Sequence, residues 1–570
     1  DIDRKNRRLM ERSAIYHTSE QPYVYAVGKD TLRVRLRTRA GDCERVLTHY
    51  KNLYNHTSPF QTVELKLILT DGVVTLYEGE LVVPERHFKY WFELTSKGET
   101  LRYTSDGFLE NVQERNCFYC PVINSDDIIA PPEWAKGGIV YQILVDRFYN
   151  GEPANDPAGT VSTDVLPRHG TFYGGDLQGA ADKLGYVKSL GAEMVYLSPV
   201  LKSPTYHKYD VADYYAVDES LGGNQALTAF VKQAHQLGLK VILDAVFNHC
   251  SDQNPLFQDV LVNGARSPYA KWFYLDSFPV SAEPCNYDTF AGAVPSMPRF
   301  DTSNPDVIEY LANAALHWTT RLNLDGWRLD VADEVSHSLW RELRRKLKQA
   351  NPDILIIGEV WNHANAWLRG DEFDTVTNYK LRSALIALAK GQIDSGAFWR
   401  TVGANRMLYM APFYPYLVSF AGTHDTSRIR TELGSDQLQI LTLAAVLTME
   451  GIPLIYYGDE LGMEGGEDPD NRRAMRWDLV NSPLAQEIRA LANFRAQNAV
   501  LRRGSMEPAF AGDRVLSFTR SFGEEAYTIV INFGAEEAHL SGKFHNVLLG
   551  EAILAENGVR VPAMRYAVVR

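Results

Sequence analysis

The residues best suited to chemistry in this sequence are acidic, and they sit at the ends of apolar runs. One run reaches Asp244 and continues to Asn248 and His249. A second carries Arg328 and Asp330, a third ends at Glu359 and Trp361, and a fourth leads into His424 and Asp425. Cleavage of a glycosidic bond needs such a set: one carboxylic acid protonates the leaving oxygen, while a carboxylate stabilises or captures the oxocarbenium-like sugar. The two groups must then have environments that separate their pKa values. Arg328 and Asp330 are two positions apart, so on a strand they leave on the same side, and the guanidinium is expected to keep Asp330 ionised. That predicts Asp330 as the nucleophile and Glu359, beside Val360 and Trp361, as the acid that needs a raised pKa. Each residue alone also has a plainer reading. A strand-end carboxylate can cap the next helix, and His249 and His424 can be satisfied structural histidines. The joint pattern on four ordered runs carries the argument.

These residues need elements that bring them to one mouth. From about Gly138, short apolar runs alternate with amphipathic stretches. Strands are predicted at 139–145, 194–200, 240–247, 325–331, 353–360, 374–379, 416–422 and 452–458. Helices are predicted between them at 176–190, 226–237, 305–321, 336–348, 381–388 and 436–447, with 483–497 after the last strand. In the third of these Asn304 can cap, Pro305 suits the first helical position, and Val307, Leu311 and Ala315 recur at helical spacing. Eight alternating units predict an α/β fold built on a closed (β/α)8 barrel, whose active site lies at the C-terminal ends of its strands. Two connections, about 250–300 and 390–415, are too long for simple turns, and long loops at a barrel face usually carry function.

Flanking regions follow a different rhythm. Residues 21–124 alternate with period two between Gly, Asp and Asn, which predicts an antiparallel β-sandwich over 1–125. The Pro-containing stretch 126–134 reads as a linker into a catalytic barrel over 126–498, with a loop subdomain at about 250–300. Strand-like runs return after Ala499 and predict a C-terminal antiparallel β-domain over 499–570.

Composition narrows the partners. There are 58 Lys and Arg against 71 Asp and Glu, a net charge of −13, so a nucleic-acid partner is disfavoured. The apolar stretch around Ile440–Met449 is far short of a bilayer span, and no membrane association is expected. Five scattered cysteines do not form a disulfide framework and fit a reducing compartment. The lone Cys117–Cys120 pair lacks the second pair a zinc site would need. The opening stretch DIDRKNRRLMERS holds no apolar run resembling a secretory signal. A cytoplasmic protein is therefore expected, with a processed segment left open because residue 1 is Asp.

The segments DAVFNH (244–249), GWRLDVADE (326–334), GEVW (358–361) and AGTHD (421–425) resemble the four signature regions of the α-amylase family of glycoside hydrolases. MPRFDTSNP (297–305) and GIPLIYYGDE (451–460) resemble two accessory regions, so the resemblance spans the barrel. It implies a retaining double displacement with Asp330 as nucleophile, Glu359 as acid/base and Asp425 as a third, transition-state-stabilising carboxylate. His249, Arg328 and His424 would contact the sugar being cleaved, Tyr209 would form an aromatic platform beneath it with His207 nearby, and Trp361 and Glu334 would also face substrate.

Within the family, the N-terminal β-domain, the YQILVDRFYNG start and the MPRF segment resemble cyclomaltodextrinase, neopullulanase and maltogenic amylase. That subgroup implies a homodimer or higher oligomer, in which one subunit's N-terminal domain shapes its partner's active site, and a preference for small or cyclic α-glucan oligosaccharides. The loop at 150–156 with GGD at 174–176 resembles the subgroup's calcium-binding loop, implying a structural Ca2+ on Asn150, Glu152, Asn155, Asp156, the Gly174 carbonyl and Asp176. Hard oxygen ligands suit that ion, while an Asx-rich turn without metal is the alternative reading. Glu152 stands where Asp is usual. The segment GGEDPDNRRAMRW (465–477) resembles a substrate-contacting loop, with Asp468 and Arg472 at its sugar-binding positions, whereas Asp470 and Arg473 read equally as surface charge. Asp333 replaces a usual Asn on the acceptor side.

The expected activity is hydrolysis of α-1,4-glucosidic bonds in cyclodextrins and maltooligosaccharides, with pullulan as a further candidate. A glucanotransferase, a starch-acting α-amylase or a specialised cyclic-oligosaccharide hydrolase shares the same chemistry. A silent carbohydrate-binding barrel would have lost an essential carboxylate, yet Asp330, Glu359 and Asp425 are all present.

Overall fold

The computed structural model describes residues 10–570. Its chain divides into two compact units. One comprises the chain through Pro131 with His363–Asp371 and Gly396–Tyr414, and the other holds Pro132–Asn362, Glu372–Ser395 and Pro415–Arg570.

The first unit contains two antiparallel sheets. Val24–Gly28, Thr31–Arg39, Val74–Val82 and Lys66–Thr70 form one; Gln61–Glu64, Arg45–Asn52, Phe88–Ser96, Glu99–Thr104 and Gly107–Phe108 form the other, with Phe118–Cys120 added on Phe88–Ser96. Period-two alternation turns Val34 and Leu36 from one sheet, and Val46, Tyr90 and Phe92 from the other, into a shared core. Arg35 breaks the alternation because its outward side is also covered. It pairs with Glu78 at 2.7 Å and donates to the Tyr409 carbonyl at 2.6 Å.

The second unit contains the barrel. Its strands are β1 (Val140–Ile143), β2 (Met194–Leu197), β3 (Lys240–Ala245), β4 (Gly326–Leu329), β5 (Leu355–Gly358), β6 (Thr375–Val376), β7 (Val418–Phe420) and β8 (Ile452–Tyr456). All pair in parallel in the order β6-β5-β4-β3-β2-β1-β8-β7. A parallel bridge between Thr377 and Val418 joins the two ends, with Asn378 N donating to Val418 O at 2.8 Å. Each strand falls inside a predicted run. These runs are buried on both faces, the pattern expected of a parallel sheet covered by helices. Val140, Met194, Ile242, Leu355, Ile357, Val418 and Leu454 pack as one cluster inside the barrel. Above that layer sit Gln142, Asp244 and Arg328, all buried.

Two expectations about the connections need correction. The single helix predicted over 176–190 is two, Leu177–Asp182 and Leu184–Ser189, broken where Lys183 takes φ −100° and ψ 1°. Gly179 and Gly185 flank the break and weaken helical continuity. The long connections are also more regular than expected. Pro255–Asn263 is a helix capped by the Asn254 side chain on Leu256 N at 3.0 Å, and Ser395–Met407 is another.

The C-terminal residues form a five-stranded antiparallel sheet of Ser505–Phe510, Val515–Phe522, Glu525–Asn532, Tyr566–Val569 and Val547–Gly550. A three-stranded sheet of Ala538–Ser541, Gly558–Val561 and Ile553–Ala555 packs beside it through Val530, Leu540 and Val559. No helix among the described residues is long and apolar enough to cross a membrane.

Candidate active site

Parallel register assembles the site. Asp244 on β3 lies opposite Arg328 on β4, and the guanidinium reaches out to four carboxylates. Arg328 Nη1 meets Asp244 Oδ1 at 2.9 Å and Asp330 Oδ1 at 2.6 Å; Nη2 meets Glu359 Oε2 at 2.9 Å and stands 4.0 Å from Asp425 Oδ2. Four acids around one base leave a strongly acidic mouth, with Asp244, Asp330 and Glu359 buried and Asp425 at its exposed edge.

Burial pushes Asp330 well above the ordinary carboxylate range. Arg328 opposes the rise, and Glu359 and Asp244 add to it. Asp244 and Asp425 are also raised, again chiefly by burial. Arg328 acts in the expected sense on Asp330, but one guanidinium is divided among four carboxylates. A proton held in such a cluster belongs to the group rather than to one residue.

Glu359 accepts four donors. Trp361 Nε1 (3.1 Å) and Tyr379 OH (3.3 Å) reach Oε1, while the Val331 amide (2.9 Å) and Arg328 reach Oε2. Trp361 and Tyr379 stack at 4.0 Å with a 12° interplanar angle, which fixes both donors. Val331 itself has φ 44° and ψ 47°. This left-handed conformation costs a β-branched residue roughly 1–3 kcal/mol, and its amide gains the bond to Glu359.

Tyr209 stacks on His424 at 5.3 Å and 7°, and its hydroxyl bonds Asp244 Oδ2 (2.9 Å) and His424 Nε2 (2.5 Å). His424 Nδ1 is held by Gln142 Nε2 at 2.7 Å, and Nε2 is 3.1 Å from Asp425. Arg472 ties Asp425 (3.3 Å) to Asp468 (3.2 Å). Burial drives His207 down to about 3, His249 to about 4, and His424 well below its ordinary value. All three are neutral near pH 7, suited to hydroxyl groups rather than anions.

A cavity of about 310 Å³ opens over this constellation. Its lining includes His207, Tyr209, His249, Asp330, Glu359, Trp361, Asp425, Asp468 and Arg472 from the sequence-derived set. Arg328 and His424 lie behind the lining, against the barrel interior. Glu334 does not line the cavity. Its side chain is exposed, with Oε2 3.4 Å from Asn248 Nδ2. Asp470 and Arg473 pair with each other at 2.8 Å and brace their loop.

His169, Phe290, Met297 and Val331 also line the cavity, and sequence reasoning missed them. It also missed Gln142, Tyr196 and Tyr379. Tyr196 donates to Asp244 at 2.5 Å. Tyr379 could have been found, because it ends the sixth predicted strand, where a polar residue meets the mouth.

The match to known proteins agrees with this geometry. Residues 142–498 match the model for the alpha amylase catalytic domain, and residues 10–124 match the alpha amylase N-terminal ig-like domain. The chain belongs to the alpha-amylase family. It is 39% identical to a cyclomaltodextrinase of Geobacillus thermopakistaniensis (strain MAS1), with 96% of each chain covered. It is 40% identical to neopullulanase 2 of Thermoactinomyces vulgaris over 92% of this chain and 91% of that one. A solved cyclomaltodextrinase structure superposes with a TM-score of 0.92 at 35% identity, covering 98% of this chain and 100% of its own. This member of the alpha-amylase family is a cyclomaltodextrinase-like glycoside hydrolase.

The same unit contains the loop 150–156 and the segment 174–176, where a calcium ion was expected. Asn150 Nδ2 donates to Asp156 Oδ1 at 2.7 Å, and Asn155 Nδ2 to Asp176 Oδ2 at 3.2 Å. The Oδ1 atoms of Asn150 and Asn155 are buried without a hydrogen-bond partner. A Cβ on Gly174, at φ 78°, would fall 2.4 Å from Asp156 Oδ1, so only glycine lets the chain approach. Two orphaned amide oxygens, a carboxylate and a close backbone fit a hard cation. Glu152 departs from the expectation: its side chain is exposed and accepts from Ala154 N at 3.3 Å, capping its own turn. Asp176 is buried and accepts from the amides of Gly151, Glu152 and Gly179.

The remaining sequence motif, Cys117 and Cys120, is inert. Both thiols are free, and burial pushes each up to about 11.

The raised Asp330 sets a pH dependence. Attack requires the ionised carboxylate, so activity is present above its pKa and lost as pH falls through it. The acid limb of kcat/KM, which reports the free enzyme, is expected above the ordinary aspartate value of about 3.9. A limb at or below that value in a pH profile would contradict the assignment.

Proposed function

We propose that the protein is a retaining glycoside hydrolase that cleaves α-1,4-glucosidic bonds in cyclodextrins and maltooligosaccharides. The convergence of Asp330, Glu359 and Asp425 on Arg328 in one cavity carries the reading.

In the first step a carboxylate oxygen of Asp330 attacks the anomeric carbon, the bond to the leaving oxygen breaks, and Glu359 gives that oxygen its proton. In the second, Glu359 takes a proton from water, whose oxygen displaces Asp330 and releases the sugar with retained configuration. Asp425, held by Arg472, lies opposite the charge that develops on the ring. Tyr209, backed by the neutral His424, offers a flat ring to the sugar face. Trp361 and Tyr379 fix Glu359 through both half-reactions.

Initial rates and products on β-cyclodextrin, pullulan and soluble starch test the substrate. Faster opening of cyclodextrin than cutting of starch is expected. Preference for starch would turn the assignment toward a starch-acting α-amylase, and transfer products alone toward a glucanotransferase.

A structural Ca2+ held by Asn150, Asn155, Asp156, the Gly174 carbonyl and Asp176 belongs to the same proposal, supported by the two orphaned amide oxygens. When bound, the ion supplies positive charge that ties the 150–156 loop to 174–176. Ca2+ added to chelator-treated protein at a hundred times its Kd is expected to stabilise the fold by about 2.7 kcal/mol. A melting temperature indifferent to Ca2+ would reject the site.

A homodimer or higher homo-oligomer and a cytoplasmic location complete the proposal. The N-terminal domain match supports the first, and five free thiols support the second. Light scattering at working concentration reads the assembly.

A further inference from the structure

A second cavity, of about 350 Å³, opens at the same face of the barrel as the catalytic one. It is built by residues following β1, by residues 163–175, and by residues 475–478 following β8. Its volume matches that of the catalytic cavity and falls within the range of about 300–1,000 Å³ typical of small-molecule pockets.

The walls have the chemistry of a sugar site. Tyr149 and Trp477 meet edge to face at 5.8 Å, and Tyr173 adds a third ring. Such rings cover the apolar faces of hexoses. Arg476 and Asp478 form a fork of two parallel hydrogen bonds, at 2.8 and 2.6 Å, and both side chains are exposed. Asp164 lies near Arg476. A planar donor beside planar acceptors suits the vicinal hydroxyls of a glucose unit.

Deeper in, Arg147 is 1% exposed, and its Nε and Nη2 have no hydrogen-bond partner. Its guanidinium lies 4.6 Å from the Tyr173 ring centroid and 3.8 Å from that of Tyr206. Tyr206 OH in turn bonds Arg472 (3.2 Å) and Asp468 (3.3 Å), which line the catalytic cavity. Arg147, which lines the second cavity, is thus linked through Tyr206 to Arg472 and Asp468 of the catalytic one.

We propose that this second cavity is an accessory site for an α-glucan oligosaccharide, distinct from the catalytic cleft. The inference rests on the α-glucan reading of the active site. Tyr149 and Trp477 hold the ring faces, and Arg476, Asp478 and Asp164 hold the hydroxyls. A longer substrate gains from occupying it, whereas a short one reacts without it.

The test uses the full-length Asp330→Asn protein, which cannot turn substrate over, titrated with maltotriose by calorimetry and followed through Trp fluorescence. Two sites per chain are expected. Adding Arg476→Ala, or separately Tyr149→Ala, should leave one. In the active protein the same changes should raise KM for maltoheptaose about three- to tenfold and leave kcat/KM for maltotriose unchanged. Melting curves confirm that both variants fold. One site in the Asp330→Asn protein, or two that survive both substitutions, would overturn the accessory site while leaving the catalytic reading intact. No binding of maltotriose at all would overturn the α-glucan reading itself.

Discussion

Asp330→Asn is expected to abolish turnover and, at neutral pH, to make the protein more stable. The loss of activity follows from the missing nucleophile, for which a fall of about 10⁴-fold or more in kcat is the expected order. The gain in stability follows from the charge of the mouth. Asp330, Asp244 and Asp425 are all raised by burial, so the folded chain binds these protons more tightly than the unfolded one. Their favourable contribution is full below the unfolded pKa of about 3.9 and is lost as pH rises through the folded values. At pH 7 the ionised cluster therefore opposes folding. Asn keeps an acceptor for Arg328 and removes one negative charge, for a gain on the order of 1 kcal/mol. The gain should shrink as pH is lowered toward 4. Melting curves at both pH values read it, and a destabilised variant at pH 7 would contradict the electrostatic account.

Arg328→Met should do the opposite. The guanidinium is the shared partner of Asp244, Asp330 and Glu359 at 2.6 to 2.9 Å. Removing it strands buried carboxylates, a loss of about 3–5 kcal/mol when one side of a buried ion pair is deleted. Activity should vanish with it. Because protonated carboxyls no longer need the cation, part of the stability should return on acidification. Unchanged melting at pH 7 would show that the cluster is held by other means.

Much of this site was legible in the sequence because barrel chemistry has a fixed address. Runs such as 194–200 and 353–360 announce strands by being apolar on both faces, and the strand-end rule then places Asp330, Glu359 and Asp425 at one mouth. The sharing of Arg328 was not legible. It depends on the register that sets Asp244 opposite Arg328, and no single run encodes that pairing. His169 and Phe290 come from connections without periodicity, so only tertiary structure brings them to the cavity. The helix Pro255–Asn263 was missed although Asn254 and Pro255 repeat the start signal seen at Asn304 and Pro305. Glu152 shows the reverse case: the resemblance to a calcium loop implied a ligand, but its longer side chain turns back to cap its own loop.

The central claim is that Asp330 forms the covalent glycosyl-enzyme bond. Intact-mass and peptide mass spectrometry of the Glu359→Gln protein, treated with an activated fluoro-α-glucoside whose departure needs no acid, tests it most directly. The account expects one added glycosyl unit on the peptide containing Asp330, and no adduct when Asp330 is also changed to Asn. An adduct on Asp244 or Asp425, or turnover with inverted configuration and no adduct, would contradict it.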